Sequence, residues 1–81
     1  MKQFIYFSAP WCGPCRMFGP IMEKLAAEGI SVQKVNIDEN RELQTQYRIM
    51  SVPTTILVEN GQEIARVIGA KSLHEMKQIY G

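Results

Sequence analysis

The sequence is poor in most features that announce a function. No apolar run approaches the roughly 20 residues that a membrane span needs, so the reading excludes a spanning helix and a membrane partner. No charge dominates: nine Lys and Arg against eight Asp and Glu leave a formal charge of +1. That balance excludes the basic footprint of a nucleic-acid binder. One histidine and two cysteines cannot complete a four-ligand zinc site within the chain, so no metal is expected. Repeats, low-complexity tracts and linkers are absent, and 81 residues suffice for one domain, 1–81, near the lower range of independent folding. With 46% hydrophobic and 21% charged residues, disorder is excluded. The apolar start is too short for a signal-peptide core and Pro10-Trp11-Cys12 follows at once, so it is read as a buried strand of a cytoplasmic protein; a monomer is expected.

What is present is strongly patterned. Lys2 to Phe7 is apolar and aromatic, as in a strand buried on both faces, and Ser8 to Trp11 read as a loop. A helix is expected over about 13–28, with Met17, Phe18, Ile21, Met22, Leu25 and Ala26 on its core face. Gly29 supplies its stop and Pro20 an internal kink. Ser31 to Ile37 reads as a second strand, which makes a right-handed βαβ unit with parallel strands. A short helix over Asn40 to Tyr47 follows, with Leu43 and Tyr47 on one side. Thr54 to Glu59 and Gln62 to Ile68 flank Asn60-Gly61, a strong hairpin signal. Ser72 and Glu75 fit a capping box, opening a helix whose Leu73, Met76 and Ile79 face inward. The expected fold is α/β: β-α-β-α-β-β-α, a four-stranded mixed sheet flanked by three helices.

The only two cysteines, Cys12 and Cys15, lie where the first strand hands over to the first helix. As a structural staple the pair is inefficient. Chain entropy gives about 2 kcal/mol for a four-residue loop, against about 3 kcal/mol for a 15-residue one. Chemistry explains the position better. Cys12 falls near the helix N-cap, where its sulfur meets the positive end of the helix dipole. Pro14 has no N–H, so the Cys15 N–H is the remaining candidate donor to that sulfur, and Pro14 is tolerated in a first turn. These effects favour thiolate, which is only roughly 3% of an unperturbed thiol at pH 7. A Cys-x-x-Cys beside a βαβ pattern reads as a redox motif. Cys12, read as the exposed member, attacks a disulfide; Cys15, read as the buried member, resolves the mixed disulfide.

Trp11-Cys12-Gly13-Pro14-Cys15 resembles the signature of the thioredoxin family, and further matches run in order along nearly the whole chain. They are Pro20, Val35-Asn36-Ile37-Asp38, Ser51-Val52-Pro53-Thr54, Asn60-Gly61 and Ile68-Gly69-Ala70. The resemblance implies a disulfide reductase with no bound cofactor beyond a redox-active Cys12–Cys15 disulfide. It implies protein disulfides as substrates and a thioredoxin reductase as electron donor, fed by NADPH. Pro53 would be cis and lie against the cysteines. Trp11, Val52, Pro53, Gly69 and Ala70 would form the flat apolar patch that receives substrate, with the Val52 backbone pairing to it by β-augmentation. Gly13 and Pro14 would support the motif.

Two departures stand out. The sequence opens directly on the strand that leads to the motif, without the leading strand and helix usual in the family, so a sheet edge is expected to be exposed or differently covered. Where the family carries a buried aspartate that deprotonates the resolving thiol, this chain has Tyr6, while the matching lysine remains as Lys34. Tyrosine is a poor base near pH 7, so a slower or more pH-dependent resolving step is expected. Competing readings are a glutaredoxin-like reductase dependent on glutathione, a protein-disulfide oxidant, a non-catalytic subunit using the same patch, and an iron–sulfur cluster bridged by two chains.

Overall fold

The residues that could least tolerate water set the middle of the sheet. β1 (Lys2–Ser8) is buried from Phe4 onward, because it is flanked on both sides in the order β2-β1-β3-β4. The computed structural model describes residues 1–81. β2 (Val32–Asn36) runs parallel to β1, while β3 (Thr54–Glu59) is antiparallel to β1 and β4 (Gln62–Ile68) antiparallel to β3. Three helices complete the order: α1 (Gly13–Ala27) between β1 and β2, α2 (Arg41–Gln46) between β2 and β3, and α3 (Leu73–Tyr80) at the end. This is the expected β-α-β-α-β-β-α arrangement, and no helix is long and apolar enough to cross a membrane.

Strand alternation divides β1 between two cores. Phe4 and Tyr6 pack with Phe18, Met22 and Leu25 of α1, Leu57, Val67 and Met76. Ile5 and Phe7 pack on the other face with Val35, Ile37, Ile49, Ile56 and Val58, and with Leu43 and Tyr47 of α2. Burial at about 25 cal/mol per Å2 of apolar surface stabilises both layers. The register of the central strands is thereby fixed, since a one-residue slip would exchange the two cores.

Local signals behave as the sequence predicts, with small shifts at the ends. Asn60 and Gly61 both take positive φ, 52° and 84°, which only the hairpin turn residues tolerate readily. Gly29, at φ 94°, lets the Ile30 N–H reach the Leu25 carbonyl and its own N–H the Ala26 carbonyl, each at 3.1 Å, a Schellman closure. Ser72 and Glu75 form the capping box in both directions. α1 continues through Pro20 to Ala27.

One expectation about α1 fails. Met17 is 79% exposed and Ala26 is also on the surface. The buried stripe is Cys15, Phe18, Met22 and Leu25, the narrower i, i+3, i+4 seam of a helix that covers one face only.

Candidate functional site

Register alone brings the motif residues to one end of the sheet. Ser8, which ends β1, pairs with Asn36, which ends β2. Phe7 pairs with Thr54, which opens β3, and Thr54 pairs with Ile68, which closes β4. The loops that continue these strands, with residues 9–12, 37–40, 51–53 and 69–72, therefore share that end with the N-terminus of α1.

The cysteines sit at the centre of this end and are joined by a disulfide. Cys12 is the N-cap of α1, in extended conformation, and its Sγ accepts the Cys15 N–H at 3.2 Å. Gly13 and Pro14 occupy the exposed first turn between them, and the absent Pro14 N–H leaves the Cys15 amide as the donor. An anionic Cys12 sulfur here would gain both that hydrogen bond and the helix-end field.

Burial does not divide the cysteines as the sequence reading expected. Cys12 is 4% exposed and Cys15 8%. In the disulfide each sulfur covers the other, and Cys12 is further folded under by its N–H bond to the Ala9 carbonyl at 3.1 Å. What separates them is position: Cys12 takes the N-cap, whereas Cys15 lies inside the first turn.

The loops at this end carry the other residues of the expected patch. The Val52–Pro53 peptide bond is cis, Pro53 is buried and Val52 half-buried. The Gly69 N–H donates to the Pro53 carbonyl at 2.9 Å, which ties the Gly69-Ala70 loop to the proline loop. Gly69 takes φ 89°, a conformation that suits glycine. Val52 lies outside the strands, and neither its N–H nor its carbonyl finds a partner within the chain. Val52 packs against the cluster that contains both cysteines, so an unpaired backbone amide and carbonyl lie at this end of the sheet. Trp11 is 65% exposed, yet its Nε1 donates to Asp38 Oδ2 at 3.1 Å. Asp38 is itself held by an N–H bond to Asn36 Oδ1 at 2.9 Å.

Tyr6 and Lys34 stand one layer away, opposite each other across β1 and β2. The Tyr6 hydroxyl donates to the Cys15 carbonyl at 3.4 Å, not to its sulfur, and the ring packs edge-on against Phe18 at 5.5 Å. Burial raises the Tyr6 pKa above its ordinary 10, against a smaller opposing effect of the Ser8 hydroxyl. Tyr6 therefore stays protonated at neutral pH. A cavity of about 280 Å3 opens beside Cys15, lined also by Tyr6, Ser8, Lys34 and Asn36. It is roomy enough for several waters, and no carboxylate lines it.

Two residues at this end escaped the sequence reading. Asp38 belonged to a matched segment, but its bond to Trp11 needs the β1–β2 register to be seen. Met50 is 93% exposed just ahead of Val52; an apolar side chain beside a turn gives no periodic signal. No cluster of three or more His, Cys, Asp or Glu side chains is placed to hold a metal.

The thioredoxin family model matches residues 2–80. A thioredoxin of Chlamydia pneumoniae is 52% identical over 67 residues, a segment covering 80% of this chain and 66%, just under two thirds, of that protein. A bifunctional thioredoxin reductase/thioredoxin of Mycobacterium leprae is 41% identical over 68 residues, covering 80% of this chain and 15% of that longer protein. Among solved structures, a mutant thioredoxin from Halobacterium salinarum superposes with a TM-score of 0.92 at 34% identity, covering 98% of this chain and 71% of the other.

Proposed function

The chain belongs to the thioredoxin family, and from that premise we propose that it is a thiol–disulfide oxidoreductase that reduces protein disulfides by dithiol exchange. One observation carries the reading: the Cys12–Cys15 disulfide lies at a helix N-terminus with the Cys15 N–H on the Cys12 sulfur, beside the unpaired backbone of Val52.

The reaction runs from the reduced protein. Cys12, as thiolate, attacks one sulfur of the substrate disulfide. That bond breaks, its distal sulfur leaves as a thiolate and takes a proton from water, and Cys12 becomes joined to the substrate. Cys15 then loses its proton and attacks the Cys12 sulfur. The intramolecular disulfide forms and the second substrate sulfur leaves. Two electrons have passed to the substrate. Trp11, Val52, Pro53, Gly69 and Ala70 receive the segment around the substrate cysteine, with Gly13 and Pro14 shaping the first turn.

Proton removal from Cys15 runs through water in the adjoining cavity. Tyr6 is a protonated spectator, and Lys34 at the cavity wall stabilises the thiolate that forms. This replaces an internal carboxylate base and makes the resolving step steeper in pH.

The oxidised protein is recharged by a thioredoxin reductase fed by NADPH; the fusion of the two activities in the named Mycobacterium leprae relative supports this pairing. No bound cofactor takes part. The domain acts as a monomer in the cytoplasm, a compartment that keeps thiols reduced. The test follows NADPH consumption with thioredoxin reductase and a protein disulfide, beside a parallel reaction with glutathione and glutathione reductase. Turnover in the first that is lost in Cys12→Ser supports the reading. Turnover confined to the second would replace it with a glutathione-dependent one.

A further inference from the structure

The formal charge of +1 hides a local asymmetry at the reactive end. The segments that meet there, residues 9–16, 47–55 and 66–74, contain Arg16, Arg48, Arg66 and Lys71 and no acidic residue. The acids at this end are Asp38 and Glu39, beyond β2 on the Trp11 side, and Glu75 in the first turn of α3, which is near Lys71 and whose carboxylate is turned onto the Ser72 N–H at 3.1 Å. Arg66 is committed, since it is paired with Glu63 at 2.9 Å and donates to the Tyr47 carbonyl. Arg16, Arg48 and Lys71 are exposed and have no ion-pair partner.

Each of the three adjoins a part of the site. Arg16 follows Cys15 in the first turn of α1. Lys71 follows Ala70, in the loop tied to Pro53 by the Gly69 N–H. Arg48 shares a groove with Met50, the exposed apolar side chain just ahead of Val52. An extended segment paired to the Val52 backbone would lie with apolar contacts beneath it and these cations on its flanks.

The geometry points to a partner class: disulfide proteins whose reactive cysteine sits in an extended segment flanked by acidic side chains. The inference rests on the proposed reductase function and adds its selectivity. Unpaired cations at a docking rim raise encounter rates with anions through local field rather than net charge, and salt screens them. Simple thiolate chemistry would give the opposite order, because acidic neighbours repel an attacking Cys12 thiolate.

The test uses three disulfide-linked peptides with the same cysteine spacing, flanked by Glu, Gln or Lys. Each kcat/KM is divided by that peptide's rate with dithiothreitol, which attacks as a thiolate but carries no other charge, to remove intrinsic reactivity and thiolate repulsion. At low ionic strength the Glu peptide should exceed the Lys peptide by about tenfold, within the range of electrostatic steering. The ratio should fall towards one in about 0.5 M salt as screening shortens, and below about threefold in the double variant Arg48→Gln with Lys71→Gln, or in Lys71→Glu alone. Equal rates for all three peptides, or a ratio untouched by these substitutions, would overturn the selectivity while leaving a working reductase. No turnover with any peptide would overturn the selectivity and the reductase reading together.

Discussion

Replacing Tyr6 by phenylalanine separates packing from proton transfer at the resolving cysteine. The ring is 2% exposed and makes an edge contact with Phe18, and phenylalanine keeps both. Only the hydroxyl is lost, with its bond to the Cys15 carbonyl at 3.4 Å. A well-formed hydrogen bond contributes about 0.5–1.5 kcal/mol net. This one is long, and the carbonyl it serves lies within a helix, so Tyr6→Phe should cost under about 1 kcal/mol, or roughly 4–8 °C at most in a domain of this size. The rate of mixed-disulfide resolution and its pH profile should stay within about twofold of the parent, because burial keeps the tyrosine protonated. Removing a true general base would instead cost about 10²- to 10⁴-fold.

Tyr6→Asp makes the opposite exchange. Losing a buried aromatic ring costs about 3–5 kcal/mol, a large share of the roughly 4–12 kcal/mol available to a chain of this length. The carboxylate gained faces the cavity beside Cys15, and the resolving rate should rise below neutral pH. Stopped-flow release of a thiol from a preformed Cys12 mixed disulfide reads the rate, and thermal unfolding reads the stability. A resolving rate in Tyr6→Phe that drops by two orders of magnitude would refute the reasoning, as would a pH profile in Tyr6→Asp identical to the parent's.

The raised Tyr6 pKa also has an alkaline consequence. The folded state holds the phenol proton to higher pH than the unfolded chain, so its contribution is complete below about pH 10 and falls as pH rises through the folded value. Melting curves from pH 9 upward should show the parent losing stability faster than Tyr6→Phe; parallel curves would contradict this. At the other end of the chain, Ser72→Ala removes the cap of α3 and should cost about 1 kcal/mol in denaturant unfolding. Glu75, held low first by the Ser72 backbone N–H and then by its side chain, contributes in full above the ordinary carboxylate value and loses that contribution as pH falls below it through the lowered folded value. Glu75→Gln should therefore flatten the acid limb of the stability profile, and an unchanged limb would count against the cap. Asp38→Ala frees the only tryptophan. An exposed charge-assisted contact of about 0.5–1 kcal/mol predicts a two- to fivefold rise in KM for a protein disulfide with kcat little changed, together with a shift in Trp11 fluorescence; an unmoved spectrum would show the contact to be unimportant.

Much of this architecture is legible in one dimension because its signals are local. Asn60-Gly61, Gly29 and the Ser72–Glu75 box each determine a backbone path by their own chemistry, and each turn forms where the sequence places it. The doubly buried β1 is equally plain, since apolar residues on both faces leave it nowhere but the middle. The Cys12–Cys15 pair and its N-cap position follow from Gly13-Pro14 and the helix start alone. Three things were hidden. The equal burial of the cysteines depends on their being joined and on the turn from Ala9. The Trp11–Asp38 bond depends on strand register. Met17 misled because helical spacing fits both a broad core stripe and its edge, and only the absence of a neighbour over that edge decides between them.

Substituting each cysteine in turn and mixing the reduced protein with a disulfide substrate tests the central claim most directly, with intact-mass measurement of the adducts. Cys15→Ser should accumulate a stable mixed disulfide on Cys12, because the attacking thiolate remains and nothing resolves it. Cys12→Ser should trap little or none. Equal trapping by both variants, or trapping by Cys12→Ser alone, would contradict the assignment of attack to Cys12 and resolution to Cys15.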